Sequence, residues 1–322
     1  MSVTGEPSVT RGFGLSAGAR YYHGHGLGND YLVFEAVKDQ LDECWEVTPA
    51  TVRRVCQRGK GLGSDGLLVL LARDPEDGVY EVRGFNPDGS EFERSGNGLR
   101  VLASHLTREG LVGTEPFRVR SGACILTLVA HETSVRGLHD VSVEMGQASV
   151  GLHEIGGNPV RLDADGRAVH ETLGPIEFTP VSIGNPHAVI FPSRPMDFQT
   201  AEIGPFLEHH AAFELGVNVQ IAEVLAPDTL KIRVWERGVG RTTASGTSAC
   251  ASAVAGVATQ RLQPGSVTVE MEGGKLSVSV TEALEVVLRG PVEEVSQGRL
   301  TRHFLVGLRG ALGSTFGLAS TE

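Results

Sequence analysis

Short apolar runs, many alternating with polar residues, recur along the whole chain. The first half holds Leu67–Leu71, Val79–Phe85, Phe117–Val119, Cys124–Val129 and Val141–Met145. The second half holds Val181–Ile183, Ala188–Phe191, Val217–Ala222, Thr229–Val234, Ser266–Glu270, Lys275–Val280 and Leu284–Leu288. Alternation at period two predicts half-buried antiparallel strands. Helical patterning is scarcer and predicts helices over Pro49–Gln57, Gly98–Arg108, Pro205–His209 and Thr247–Gln260. Strands outnumber helices and do not alternate regularly with them. That predicts an α+β chain rather than a doubly wound parallel sheet.

The pattern repeats once. Gly28-Asn29 leads into the apolar run Tyr31–Phe34, and Gly184-Asn185 leads into Ala188–Phe191. Roughly sixty residues after each Gly-Asn turn comes a Ser-Gly turn opening a helix, at Ser95-Gly96 and at Ser245-Gly246. The repeat predicts two pseudo-symmetric domains, each a mixed or antiparallel curved sheet or barrel around a central helix. The expected layout is a flexible leader over residues 1–20, an N-terminal domain over 21–145 and a C-terminal domain over 146–292. Residues 293–306 are available to return to the first domain, and 307–322 read as a tail, mobile or forming an added edge element.

Composition narrows the class. The chain has 322 residues, 40% of them hydrophobic and 21% charged, the balance of a globular protein. A net charge of −11 with no basic patch argues against nucleic acid as a partner. No run approaches the ~18 apolar residues that span a bilayer, and residues 1–20 lack the apolar stretch of a secretory signal, so a cytoplasmic location without membrane contact is expected. Cys44, Cys56, Cys124 and Cys250 are scattered, with no CxxC pair, and read as free thiols rather than metal ligands. His23-Gly24-His25 lacks a third ligand, so no metal is expected. Gly61-Leu62-Gly63-Ser64-Asp65-Gly66 fits the dinucleotide pattern GxGxxG. Its context is inverted, with a helix before it and a strand after, so no nicotinamide cofactor is expected.

The Ser-Gly turns carry more. A helix N-terminus offers free amides and partial positive charge to a carboxylate, and glycines let the ligand approach. Serine is also among the best N-caps, so each turn taken singly reads as a plain cap. Two at equivalent positions would place two helix ends around one small anion. Glu236-Arg237-Gly238 and Phe85-Asn86-Pro87 each precede one of these turns by about nine residues. Asn218, an amide inside an apolar strand, reads either as a brace or as a ligand contact.

Together these segments resemble diaminopimelate epimerases. The matching stretches run in the family's order: His25–Asp30, Gly61–Asp65, Phe85–Ser90, Ser95–Gly98, Met145-Gly146, Gly184–His187, Val217–Val219, Glu236–Gly240 and Ala244–Thr247. The resemblance implies a cofactor-free isomerase of two related domains, often a homodimer, acting on an amino acid with two carboxylates. It places Asn29, Asn86, Asn185, Asn218, Glu236 and Arg237 around the substrate's amino and carboxylate groups. It places Gly96, Asn97, Gly246 and Thr247 at the α-carboxylate. The family inverts an α-carbon with two cysteines, one as thiolate and one as thiol, tuned by residues that His187 and Glu236 match. Here both cysteine positions are serine, Ser95 and Ser245, and Gly66 stands where the family commonly carries a substrate-contacting glutamine.

An alcohol ionises far less readily than a thiol. A difference of ~5 pKa units costs on the order of 7 kcal/mol and about 10⁵ in rate unless the site compensates. The expectation is an epimerase converting LL- to meso-diaminopimelate, with Ser95, Ser245, Glu236 and His187 at the proton-transfer positions. The alternatives are a catalytically silent amino-acid-binding homologue, an active epimerase whose two cysteines were exchanged for serine, or an isomerase or lyase using Glu236 or His187 as its single base.

Overall fold

The structure, a computed structural model, describes residues 15–37, 43–74, 76–92, 94–192 and 200–310. Among the described residues, the strands of the first half that build its barrel are β1 (Ser16–Gly26), β2 (Asn29–Ala36), β3 (Gly66–Arg73), β4 (Tyr80–Phe85), β5 (Phe117–Ser121), β6 (Cys124–His131) and β7 (Leu138–Gln147). The second half contributes β8 (Thr179–Ser182), β9 (Pro186–Ile190), β10 (Asn218–Ala226), β11 (Thr229–Glu236), β12 (Gly265–Met271), β13 (Gly274–Val280) and the long β14 (Glu285–Arg299). The helices are α1 (Pro49–Cys56), α2 (Gly96–Arg108), α3 (Thr200–Glu208), α4 (Gly246–Ala258) and α5 (Arg302–Gly310).

Pairing closes two barrels. In the first, β1–β2 is antiparallel, β2–β3 parallel, β3–β4 antiparallel and β4–β5 parallel. Antiparallel pairs then run β5–β6, β6–β7, β7–β14 and back through β14–β1. The second half repeats the sequence of senses: β8–β9 antiparallel, β9–β10 parallel, β10–β11 antiparallel, β11–β12 parallel, then antiparallel β12–β13 and β13–β14. Ser149-Val150, which continues β7, pairs with β8 and completes the ring.

Strands β7 and β14 belong to both barrels. β14 pairs with β13 through Val286–Arg289 and with β1 through Glu293–Arg299. The two halves are thus joined by continuous ladders rather than a linker.

Each barrel is filled by one helix. Helix α4 reads Gly-Thr-Ser-Ala-Cys-Ala-Ser-Ala-Val-Ala-Gly-Val-Ala, with nothing larger than valine, and most of its residues are buried. A helix enclosed on all sides must be apolar or small all round. Strands β2 and β3 are apolar on both faces for the same reason. Tyr31, Val33, Leu68 and Leu70 point into the barrel, while Leu32, Phe34, Leu67 and Val69 join Val52 and Val55 of α1 and Leu305 and Leu308 of α5 on the outside. Trp45 closes that outer layer edge-on to Phe34, with ring centroids 5.3 Å apart. Helix α3 covers the matching face of the second barrel with Ile203 and Leu207.

Three expectations change. Ser16–Arg20, expected as leader, are the start of β1; Arg20 pairs with Arg299 of β14, and Ser16–Gly18 pair with the short strand Cys44–Glu46. Alanine, glycine and histidine hide that strand from a reading by β propensity. Residues 1–14 lie outside the described residues. Helix α3 begins at Thr200, ahead of the expected Pro205–His209, and carries Pro205 inside it. The segment read as tail begins inside α5, whose Gly307–Gly310 are helical, while 311–322 lie outside the described residues. Among the described residues no helix is long and apolar enough to cross a membrane.

Candidate active site

Helices α2 and α4 enter their barrels from the same seam, so their N-termini meet. A β-carbon on Gly96 would lie 3.8 Å from the Cα of Gly246 and 2.8 Å from Leu288 Cδ2. The two helix ends therefore sit head to head over Leu288 of the shared strand β14. The first amides of a helix have no partner within it, so both ends aim unsatisfied N–H groups and positive dipoles at one place.

Both serines do cap their helices. Ser95 Oγ accepts from Gly98 N at 3.1 Å and Ser245 Oγ from Ser248 N at 3.4 Å. The capping role and the site role coincide, because both serines also line a cleft of about 980 Å³ between the halves. Asn29, Asn86, Gly96, Asn97, Asn185, Glu236, Arg237, Gly246 and Thr247 line the same cleft.

The second serine faces an acid. Ser245 Oγ donates to Glu236 Oε2 at 3.2 Å. Burial pushes the Glu236 carboxyl above its ordinary value, and Asp65 adds to this. Such a group holds a proton more readily than an exposed glutamate and is a correspondingly better base when ionised. The Glu236–Gly238 turn is anchored from behind by Glu208, which accepts from Trp235 Nε1 at 2.6 Å and from Gly238 N at 2.7 Å.

The amides on the first side are oriented by a buried cation. Arg100 is fully buried, and its guanidinium donates to Asn97 Oδ1 and, at 2.9 Å, to Pro291 O. Arginine can only donate, so Asn97 turns its amide nitrogen to Asn29 Oδ1 at 2.9 Å. Asn29 then donates to Asp65 Oδ2 at 3.3 Å. Burial pulls the Arg100 pKa down to about 10, still far above neutral, so the positive charge beneath the α2 N-terminus persists.

Two expected residues do not reach the cleft. His187 is fully buried, its Nδ1 3.2 Å from Gln220 Oε1 and its Nε2 2.9 Å from the Asn185 side-chain amide. Burial drops its pKa to about 3, so the ring is neutral at physiological pH. Its contact with the site runs through Asn185. Asn218 bonds backbone at both ends, donating to Pro186 O at 2.9 Å and accepting from Arg237 N at 3.0 Å. Of the two readings left open for this amide, the geometry is that of a brace holding the Glu236-Arg237 turn against β9.

Cys250 does not stand in for Ser245. It is fully buried inside α4, and burial pushes its thiol up to about 12. Cys56 is likewise buried, its thiol pushed up to about 11.

Tyr31, Asp65 and Arg94 are among the cleft residues to which the sequence assigned no role. Arg94 donates to Met145 O at 2.8 Å and to Ile183 O, fastening the first Ser-Gly turn to the second half. Its guanidinium fills the space over Gly184, where a β-carbon would lie 1.7 Å from Nη2 at φ +90°. The only hint in the sequence is that an arginine immediately precedes Ser95.

Comparison with known proteins agrees with this architecture. The family model described as diaminopimelate epimerase matches residues 21–151 and 179–295. The diaminopimelate epimerase of Pelotomaculum thermopropionicum is 40% identical over 281 residues, covering 85% of this chain and 96% of the relative. That of Synechococcus elongatus is 38% identical over 281 residues, covering 86% and 96%. Among solved structures, a hydroxyproline epimerase from Agrobacterium vitis aligns with a TM-score of 0.61 at 16% identity, covering 88% of this chain and 92% of that one. A phenazine biosynthesis protein from Bacillus anthracis aligns with a TM-score of 0.59 at 14% identity, covering 90% and 99%. With two closed barrels meeting at paired helix ends, and with relatives at this identity over nearly their full length, the chain belongs to the diaminopimelate epimerase family and is an isomerase of the epimerase and racemase type.

Proposed function

We propose that the protein inverts the α-carbon of an amino acid bearing two carboxylates, converting LL- to meso-diaminopimelate without a cofactor. The observation that carries this reading is the head-to-head meeting of two serine-capped helix ends in one cleft, with a hydroxyl on each side. An α-carboxylate at the four first-turn amides of Gly96, Asn97, Gly246 and Thr247 would lie between Ser95 and Ser245. Arg237 and the cleft asparagines are available for the second carboxylate.

On the C-terminal side, Ser245 accepts the α-proton as its own proton passes to Glu236 Oε2. No free alkoxide accumulates, because the carboxylate takes the charge change. The helix ends hold the carboxylate as negative charge spreads onto it from the carbanion. A proton returns to the opposite face from Ser95. This route replaces a thiolate by a serine–carboxylate pair and offsets part of the alcohol's poor acidity.

Proton NMR of the chain with LL-diaminopimelate in D₂O tests the reading. Loss of the α-proton signal with appearance of the meso isomer is the expected result. Binding without exchange would replace this reading with that of a silent binding homologue. Activity only after Ser95→Cys and Ser245→Cys together would mean that the scaffold is intact and the serines silence it.

A further inference from the structure

The two serines have different neighbours. Ser245 Oγ faces a carboxylate, whereas Ser95 Oγ lies 2.8 Å from the phenol oxygen of Tyr31. Tyr31 lines the cleft while being only 7% exposed. Its ring is fixed edge-on to Phe92, with centroids 6.2 Å apart at 86°.

The ring occupies space that exists because residue 66 is glycine. Tyr31 and Gly66 are partners in register across the parallel strands β2 and β3. A β-carbon on Gly66 would lie 2.2 Å from Tyr31 Cε1 and 2.7 Å from Cδ1. Any larger residue at 66 would displace the ring from Ser95. The tyrosine and the glycine are therefore one device.

A serine hydroxyl has one proton to donate and two acceptor positions. Gly98 N–H fills one acceptor position at 3.1 Å, and the Tyr31 hydroxyl is placed to fill the other. The proton of Ser95 is then left for the cleft.

We propose that Tyr31 and Ser95 form a two-hydroxyl proton relay on the N-terminal side of the cleft, in the space that glycine at 66 leaves open. The inference rests on the epimerase reading above and says how that reaction is completed with alcohols. As the Ser95 O–H bond breaks, a Cα–H bond forms on the substrate. The Tyr31 proton moves to Ser95 Oγ, so the Ser95 O–H bond is restored and the charge rests on a phenol oxygen. Solvent resets both sides: the proton that Glu236 gained leaves to water and water returns one to the phenolate, so no net proton is consumed. A phenol is a far stronger acid than an aliphatic alcohol, so the relay avoids a serine alkoxide. Burial raises the resting phenol's pKa from its ordinary value, so it is fully protonated at rest and a weaker acid than a free phenol, which narrows its advantage over the alcohol. Tyr31 acts through Ser95 and not on the substrate itself.

Tyr31→Phe removes the hydroxyl and keeps the ring. Solvent exchange and inversion are followed by proton NMR in D₂O, starting separately from LL- and from meso-diaminopimelate. Inversion should fall by about 100-fold or more, the usual worth of a positioned acid or base. Exchange without inversion should persist from the one isomer whose α-proton faces Ser245 and Glu236, and vanish from the other. In a Ser95→Cys background the same Tyr31→Phe change should cost less than about threefold, because a thiol is its own acid. Equal slowing from both isomers, or an undiminished loss in the Ser95→Cys background, would reduce Tyr31 to packing and overturn the inference alone. No exchange from either isomer in the unaltered chain would overturn the proposed function, and this inference with it.

Discussion

Gly96 and Gly246 meet across the floor of the cleft: a β-carbon on the second would stand 3.6 Å from the Cα of the first. That closeness converts two ordinary helix caps into one anion site, since the amides of both first turns converge on the same point. Neither residue has a positive φ, so backbone conformation does not by itself require glycine at either position.

A methyl group at either position should therefore block the ligand more than it harms the fold. Gly96→Ala and Gly246→Ala press on Leu288 Cδ2 at 2.8 and 2.9 Å, a flexible side-chain end that can give. Alanine also favours the helix by roughly 0.5–1 kcal/mol over glycine. Melting temperatures within a few degrees of the parent are expected, with affinity for diaminopimelate lower by about 10- to 100-fold in titration calorimetry, the equivalent of losing one or two charge-assisted hydrogen bonds.

Glu236 should trade stability for activity. Its folded pKa is raised, so the folded chain holds this proton to a higher pH than the unfolded chain does. Its contribution to stability is therefore full at low pH and falls as pH rises from the ordinary glutamate value through the raised one. Glu236→Gln should melt at or above the parent temperature at pH 7, while inversion drops by about 10²- to 10⁴-fold. In the parent, inversion should rise with pH across that same window as the carboxylate forms. Calorimetric melts and pH–rate profiles read both effects.

His187 gives the opposite slope. Its folded pKa of about 3 lies below the ordinary histidine value of 6.5, so the unfolded chain takes up the proton first as pH falls. Stability from this group is full above pH 6.5 and declines toward pH 3 by up to about 1.4 kcal/mol per pH unit. His187→Asn should lower stability at pH 7 and flatten its decline between pH 6.5 and 4. Urea midpoints measured across that range would show the change in slope. An unchanged slope would mean that other groups dominate acid unfolding.

Arg94→Ala should loosen the join between the halves. It frees the carbonyls of Met145 and Ile183 and opens the space over Gly184. Hydrogen bonds from a charged donor contribute roughly 1.5–3 kcal/mol each, and partial solvation of the cleft lowers this, so a loss of about 2 kcal/mol in urea unfolding is expected. KM should rise as well, because Arg94 directly precedes Ser95.

Much of the architecture was legible in the sequence. The Gly-Asn and Ser-Gly turns recur because each barrel needs the same tight entry into β2 or β9 and the same capped entry into its central helix. Period-two patterning marked β4 to β7, β12, β13 and β14 as far as Leu288 because one face of each meets the barrel interior; it missed the charged and glycine-containing remainder of β14 to Arg299. It failed for β1, whose Ala17, Ala19 and Gly24 carry little apolar surface and whose burial comes from close neighbours. The GxGxxG match at Gly61–Gly66 lies between α1 and β3, the reverse of the strand-then-helix order of a dinucleotide site.

The sequence by itself determined the strand-rich class, the duplication, and which residue types were available at the helix ends. Those properties are local: they follow from periodicity, capping chemistry and turn preference within a few residues. Only the tertiary structure decided that Gly96 and Gly246 touch, that His187 and Asn218 brace the site from behind, and that Tyr31 reaches Ser95 across the vacancy at Gly66. Those relationships join residues up to 150 positions apart through the shared strands β7 and β14. Contacts of that range depend on how two closed sheets dock, which no window of sequence contains.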